Sequence, residues 1–303
     1  DGNTVDEWVS KEEAHIIKGL IVGKKYKMTE TKPADGYVTA ESIEFTVENT
    51  KEVQKHQMLD DVTKVEISKK DITDSSEVPG AKLIILDKDG KKVESWTSTD
   101  KPHMVEKLPV GEYTLREEQA PDGYLIAEDV KFTVKDTGKI QKVKMKDAHP
   151  YGKLVIKKTD STSKAALPGA EFELREKESG KVVEKLVTDK TGTATSGKIP
   201  IATYKNGKVE KTVEYILVET KAPNGYELSS KKEEIRFEYK DGKTKVIEIV
   251  KEIKNTKSPS GSTPTGNSPK TGDSTNIWLP ILLAVLSACG IGGVIWYKKK
   301  KGN

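Results

Sequence analysis

The sequence predicts an all-β chain of small sandwich modules in tandem, and three observations carry that expectation. Short alternating runs such as VEI, KLIIL, YTLRE and VKFTV have the period of two that half-buried strands require. Asp-Gly, Pro-Gly and Lys-Asp-Gly turns separate them, and nothing before residue 277 sustains a helical period. The pattern then recurs along the chain at module length, the mark of a repeat architecture.

The repeats set the domain plan. Asp1-Gly2-x-x-Val5-x-x-Trp8-x-Ser10 recurs as Asp89-Gly90-x-x-Val93-x-x-Trp96-x-Ser98. Tyr26-x-Met28-x-Glu30, closing on Asp35-Gly36-Tyr37, recurs as Tyr113-x-Leu115-x-Glu117 with Asp122-Gly123-Tyr124. A third copy is Tyr215-x-Leu217-x-Glu219 with Asn224-Gly225-Tyr226. VQKHQMLD, ending at Asp60, matches IQKVKMKD, ending at Asp147. Residues 1–62 are therefore expected to be the C-terminal part of a truncated module, with complete modules at 63–150 and 151–257. The true start of the protein is expected upstream of Asp1.

Composition narrows the function. Basic and acidic residues nearly cancel, 52 against 48, which argues against a nucleic-acid binder. Cys289 is the one cysteine, so no disulfide within the chain can offset the thin cores of small modules. The four histidines show no ligand spacing, and no metal site or cofactor is expected. Nor is there a nucleophile–histidine pair or phosphate loop, so an ordinary enzyme is not expected.

Strand parity singles out residues that look out of place. Val65, Ile67 and Lys69 share one face, as do Leu154, Ile156 and Lys158. On the last strands the matching sets are Val143, Met145, Asp147 and Ile253, Asn255; on the Tyr-x-Leu-x-Glu runs they end in Glu117 and Glu219. Each complete module thus turns an amine, an acid and an Asp or Asn toward its core, where charges rarely sit unpaired. Burial favours the neutral amine, a nucleophile, and the protonated Glu, which can donate to a carbonyl oxygen and polarise it. Such a trio can close an amide between side chains, releasing water from Asp or ammonia from Asn. A buried salt bridge, or edge residues facing water, stays open as the alternative.

Here the chain resembles collagen-adhesin B-type domains, also found in Gram-positive pilins and streptococcal fibronectin-binding proteins. The carrying motifs are LPGAEFEL at 167–174, VPGAKLIIL at 78–86, and YILVETKAPNGY at 215–226, which fits the family's YxLxETxAPxGY box at every fixed position. Copy two has Glu118 for the box Thr; copy one has Met28 for Leu and Pro33-Ala34 inverted. The resemblance implies Ig-like, prealbumin-like sandwiches holding autocatalytic isopeptide bonds. It implies Lys69–Asp147 assisted by Glu117, and Lys158–Asn255 assisted by Glu219. Copy one keeps Glu30 and Asp60, preferred over Asp61 by parity with Met58, but its lysine would precede residue 1.

The C-terminus reads as an address. A Ser/Pro/Gly linker (258–267), expected to be disordered, leads to Ser268-Pro269-Lys270-Thr271-Gly272. An apolar span at 277–297 follows, long enough for one transmembrane helix, with Trp278, Trp296 and Tyr297 at its ends and lysines at 298–301. This order, covering 268–303, resembles a sortase sorting signal. The resemblance implies cleavage between Thr271 and Gly272, a transient membrane span, and covalent attachment of Thr271 to peptidoglycan in a Gram-positive cell wall. Ser268 stands where the family usually has Leu. The expected function is a toughened surface stalk displaying an upstream adhesive region. The alternatives are a pilus subunit, or a module that itself binds a host extracellular-matrix protein, for which the long stretch 196–214 is the only local candidate.

Overall fold

A computed structural model describes residues 2–259. Within them the chain forms strands and turns and no helix, and none is therefore long and apolar enough to cross a membrane. The sorting motif at Ser268–Gly272, the span at 277–297, the tail at 298–301 and all but the first residues of the linker lie outside the described residues. Contacts join residues 1–258 into one compact unit.

The first copy contributes a single hairpin, β1 (Lys25–Met28) with β2 (Ile43–Thr46). Gly36 is the sole buried residue between positions 2 and 62. Here the structure departs from the repeat pattern. VQKHQMLD forms no ladder, and neither does the segment around Trp8, although their counterparts in the second copy are strands. The reason is pairing: those counterparts lie beside first-half strands that have no equivalent in residues 2–62.

The second module runs through β3 (Lys64–Asp71), β4 (Lys82–Leu86), β5 (Lys92–Thr97), β6 (His103–Glu106), β7 (Gly111–Gln119), β8 (Val130–Val134) and β9 (Ile140–Asp147). They make two sheets, β6-β3-β9 and β5-β4-β7-β8. The first strand and the last are parallel neighbours, with Lys69 opposite Met145 and Asp71 opposite Asp147. Between the sheets lie Val65, Ile67, Leu83, Ile85, Tyr113, Leu115, Val143 and Met145, the alternate positions that parity assigns inward.

The third module repeats the plan with β10 (Tyr151–Asp160), β11 (Glu171–Glu176), β12 (Val182–Val187), β13 (Thr193–Thr195) and β14 (Ile199–Pro200). After them come β15 (Ala202–Lys205), β16 (Lys208–Thr212), β17 (Glu214–Lys221), β18 (Glu233–Arg236) and β19 (Val246–Asn255). One sheet centres on β10, with β19 parallel along its whole length and Asp160 opposite Asn255. The other is β12-β11-β17-β18. Strands β15 and β16 pair only with each other.

Candidate functional site

The two-sheet plan brings together three side chains far apart in sequence. In the second module Lys69 comes from β3, Asp147 from the end of β9, and Glu117 from β7 in the facing sheet. Their residues are 2%, 0% and 4% exposed. The Lys69 amine donates to Asp147 Oδ1 and lies 3.0 Å from Glu117 Oε2. In the third module Lys158, Glu219 and Asn255 occupy the same places and are equally buried. The Lys158 amine donates to Asn255 Oδ1 and lies 3.1 Å from Glu219 Oε1. Asn255 Nδ2 in turn donates to both Glu219 oxygens, at 3.0 and 3.1 Å. The glutamate therefore touches both the amine and the nitrogen that would leave.

Each glutamate is fixed by its own loop. The backbone N–H ten residues downstream donates to its carboxylate: Ala127 to Glu117 at 2.6 Å, and Ser229 to Glu219 at 2.9 Å. Ala40 makes the same bond to Glu30 at 2.7 Å. The first copy thus keeps the glutamate's setting without the rest of the trio. Asp60 is exposed and is not brought to Glu30, while Asp61 pairs with Lys64 at 2.7 Å.

Burial sets the chemistry. It pushes the Asp147 carboxyl up to about 7; Lys69 opposes this, and the neighbouring Glu117 carboxylate adds to it. Glu117 Oε1 and Asp147 Oδ2 are both buried and have no hydrogen-bond donor among the described residues. Burial likewise lowers the Lys158 amine, with Glu219 pulling the other way. Two charges so enclosed recover their desolvation cost only in part. An amide carries neither charge.

Each complete module holds one further buried acid that sequence parity alone does not assign a role. Asp71 and Asp160 lie two residues beyond the lysines, on the same face, and are also buried. Asp71 accepts from Tyr124 Oη at 2.7 Å, and Asp160 from Tyr226 Oη at 2.9 Å. The closing Tyr of each box is thereby tied to the first strand. Burial would raise Asp71, but hydrogen bonds from Thr73, Tyr124 and His149 outweigh it and bring the group down to about 2.

Residues 1–61, 63–149 and 152–253 match a family model described as SpaA, prealbumin-like fold domain. A solved structure of the Bacillus anthracis TIE protein is similar at 30% identity and a TM-score of 0.50 over 77% of this chain, which spans 42% of that one. A streptococcal ancillary pilin aligns over 79% of this chain and 76% of its own at 17% identity and a TM-score of 0.30. The major pilin SpaD of Corynebacterium diphtheriae aligns over 65% and 98% at 15% identity and 0.29. No curated protein matches.

Proposed function

Since the chain belongs to the SpaA prealbumin-like domain family, we propose that it is a surface stalk whose second and third modules close their own isopeptide bonds. One observation carries this reading. Two separate modules each bury a lysine, a glutamate and an Asp or Asn in mutual contact, where the first strand meets the last.

The reaction balances within each trio. In the third module Lys158 passes a proton to Glu219, and the free amine attacks Cγ of Asn255. Glu219 returns that proton to Nδ2 and takes the second from the attacking nitrogen. Collapse of the tetrahedral oxyanion restores the carbonyl and expels ammonia, leaving Glu219 protonated. In the second module Asp147 enters as the protonated acid, and its hydroxyl leaves as water. Each site turns over once, and no cofactor takes part.

The placement of the bond is what suits a stalk. Tension would enter β3, cross at Lys69–Asp147 and leave toward the next module, so residues between those two points never carry it. The third module would behave alike through Lys158 and Asn255. The sequence at 268–303 supports anchoring by a sortase through Thr271 to peptidoglycan, with the upstream region displayed outward. Protein freed by muramidase should then end at Thr271 bearing a wall peptide; recovery of chain still carrying Lys301 from membranes would oppose the anchor.

Pulling the chain end to end tests the stalk. The second and third modules should give no unfolding step of module length. Lys69→Ala should restore one, releasing the 78-residue separation between Lys69 and Asp147, roughly 260–280 Å of extended chain. Full extension of the unaltered modules would contradict the proposal.

A further inference from the structure

Within the long stretch 196–214 of the third module, β14 pairs with β10, while β15 and β16 form a hairpin that joins neither sheet of the module. A lone two-stranded hairpin is marginal in water, and β16 is exposed along its length. Ala202 at the hairpin's base packs against the third module's own core, but its outer part is supported by the second module. Tyr204 stacks on His149 with ring centroids 3.4 Å apart and planes 3° from parallel. The same ring meets Tyr124 edge-on at 5.2 Å, and its hydroxyl donates to the Gly123 carbonyl at 2.8 Å. Val209 presses a methyl group where a side chain at Gly123 would stand.

At the hairpin tip Gly207 has φ +69°, and a Cβ there would collide with the Glu77 carbonyl. Beside the hairpin, Tyr239 donates to the Tyr124 carbonyl at 3.0 Å, and Ile126 N–H donates to the Gly242 carbonyl at 2.7 Å. Val78, Ala120 and Tyr124 close a small apolar cluster with Ile126 and Tyr204. The effect on the box tyrosine is specific to this joint. Tyr124 is fully buried, whereas Tyr37 and Tyr226, at the same box position, are half-buried. Where the first copy meets the second, the bonds are polar and largely exposed: Thr39 to Asp136 and Lys107 to Tyr37.

We propose that the β15–β16 hairpin is an intramolecular clamp, whose partner is the Tyr124–His149 face of the second module, and that it makes the two modules one rigid body. Adjoining domains otherwise move relative to each other unless an apolar interface holds them. Tyr204 is engaged within the chain, and Val209, though 39% exposed, also meets Gly123, so the inner face of the hairpin is occupied. The clamp is independent of the crosslinks and stands or falls without them.

The test is a distance distribution between two spin labels on the full chain in detergent. Cys289→Ala removes the only native thiol, and Lys139→Cys and Lys190→Cys place labels on exposed sites in the second and third modules. The parent should give one narrow distribution. Tyr204→Ala and Gly207→Val should each broaden it roughly twofold or more, as expected of domains freed at a joint, and Tyr204→Phe, which keeps the ring on His149, should broaden it less. A thermal melt of each variant separates a freed joint from an unfolded module, and Val209→Ser is the milder substitution if either variant unfolds. A broad distribution in the parent, or an unchanged narrow one in the folded variants, would overturn the clamp.

Discussion

The second and third modules hold the same amine and the same glutamate against different partners, Asp147 in one and Asn255 in the other. An aspartate can lose its hydroxyl only while it is protonated. The second module meets that need by burying Asp147, with Glu117 beside it, which raises the carboxyl to about 7. The asparagine needs no such proton of its own. It donates its amide to Glu219, so the leaving nitrogen already rests against the acid that would protonate it. In the proposed reaction both pockets would reach the same uncharged product from different proton inventories, and the shared part, the glutamate, is where both could be broken.

The largest expected effect comes from removing that glutamate. Glu117→Gln should prevent the bond in the second module alone, leaving the chain short of one ammonia but not of one water. Its melting transition should fall by an amount equivalent to about 4 kcal/mol, the constraint that a crosslink over some eighty residues places on the unfolded chain. Glu219→Gln should do the converse. Loss of both bonds in either single variant would show that the two sites are not independent.

A smaller effect separates the acid from the amide. If Lys69 and Lys158 are masked by photolabile groups and released together, the third module should close without requiring a carboxyl proton from its partner. The second should slow above about pH 7, as Asp147 loses its proton, by roughly tenfold for each further unit. Equal slowing in both modules would place the titrating group elsewhere. Smaller again is the tie between box and first strand. Tyr124→Phe strips a donor from the fully buried Asp71 and should cost about 1–3 kcal/mol, raising Asp71 from about 2 toward the ordinary carboxylate range. Tyr226→Phe, at a half-buried site, should cost about 1 kcal/mol or less.

How much of this was legible in the sequence depends on distance along the chain. Alternation placed Lys69 with Val65 and Ile67, and Asp147 with Val143 and Met145, because side-chain parity is a local property of a strand. Asp71 and Asp160 obeyed the same parity but lay past the lysines, and only the contacts with Tyr124 and Tyr226 reveal their use. The backbone N–H groups of Ala127 and Ser229 that fix the glutamates left no signature, since any residue but proline can supply that donor. The stacking of Tyr204 on His149 joins two modules and has no local pattern at all. In the first copy the pattern predicted strands that do not form, because a strand needs a partner as well as a sequence.

The intact mass of the full chain, folded and then denatured, tests the central claim most directly. The account predicts a mass below that of the sequence by one water and one ammonia together. Digestion should then yield two branched peptides, Lys69 joined to Asp147 and Lys158 joined to Asn255. A mass equal to that of the unmodified sequence would contradict it, leaving both trios as buried ion-pair and hydrogen-bond clusters.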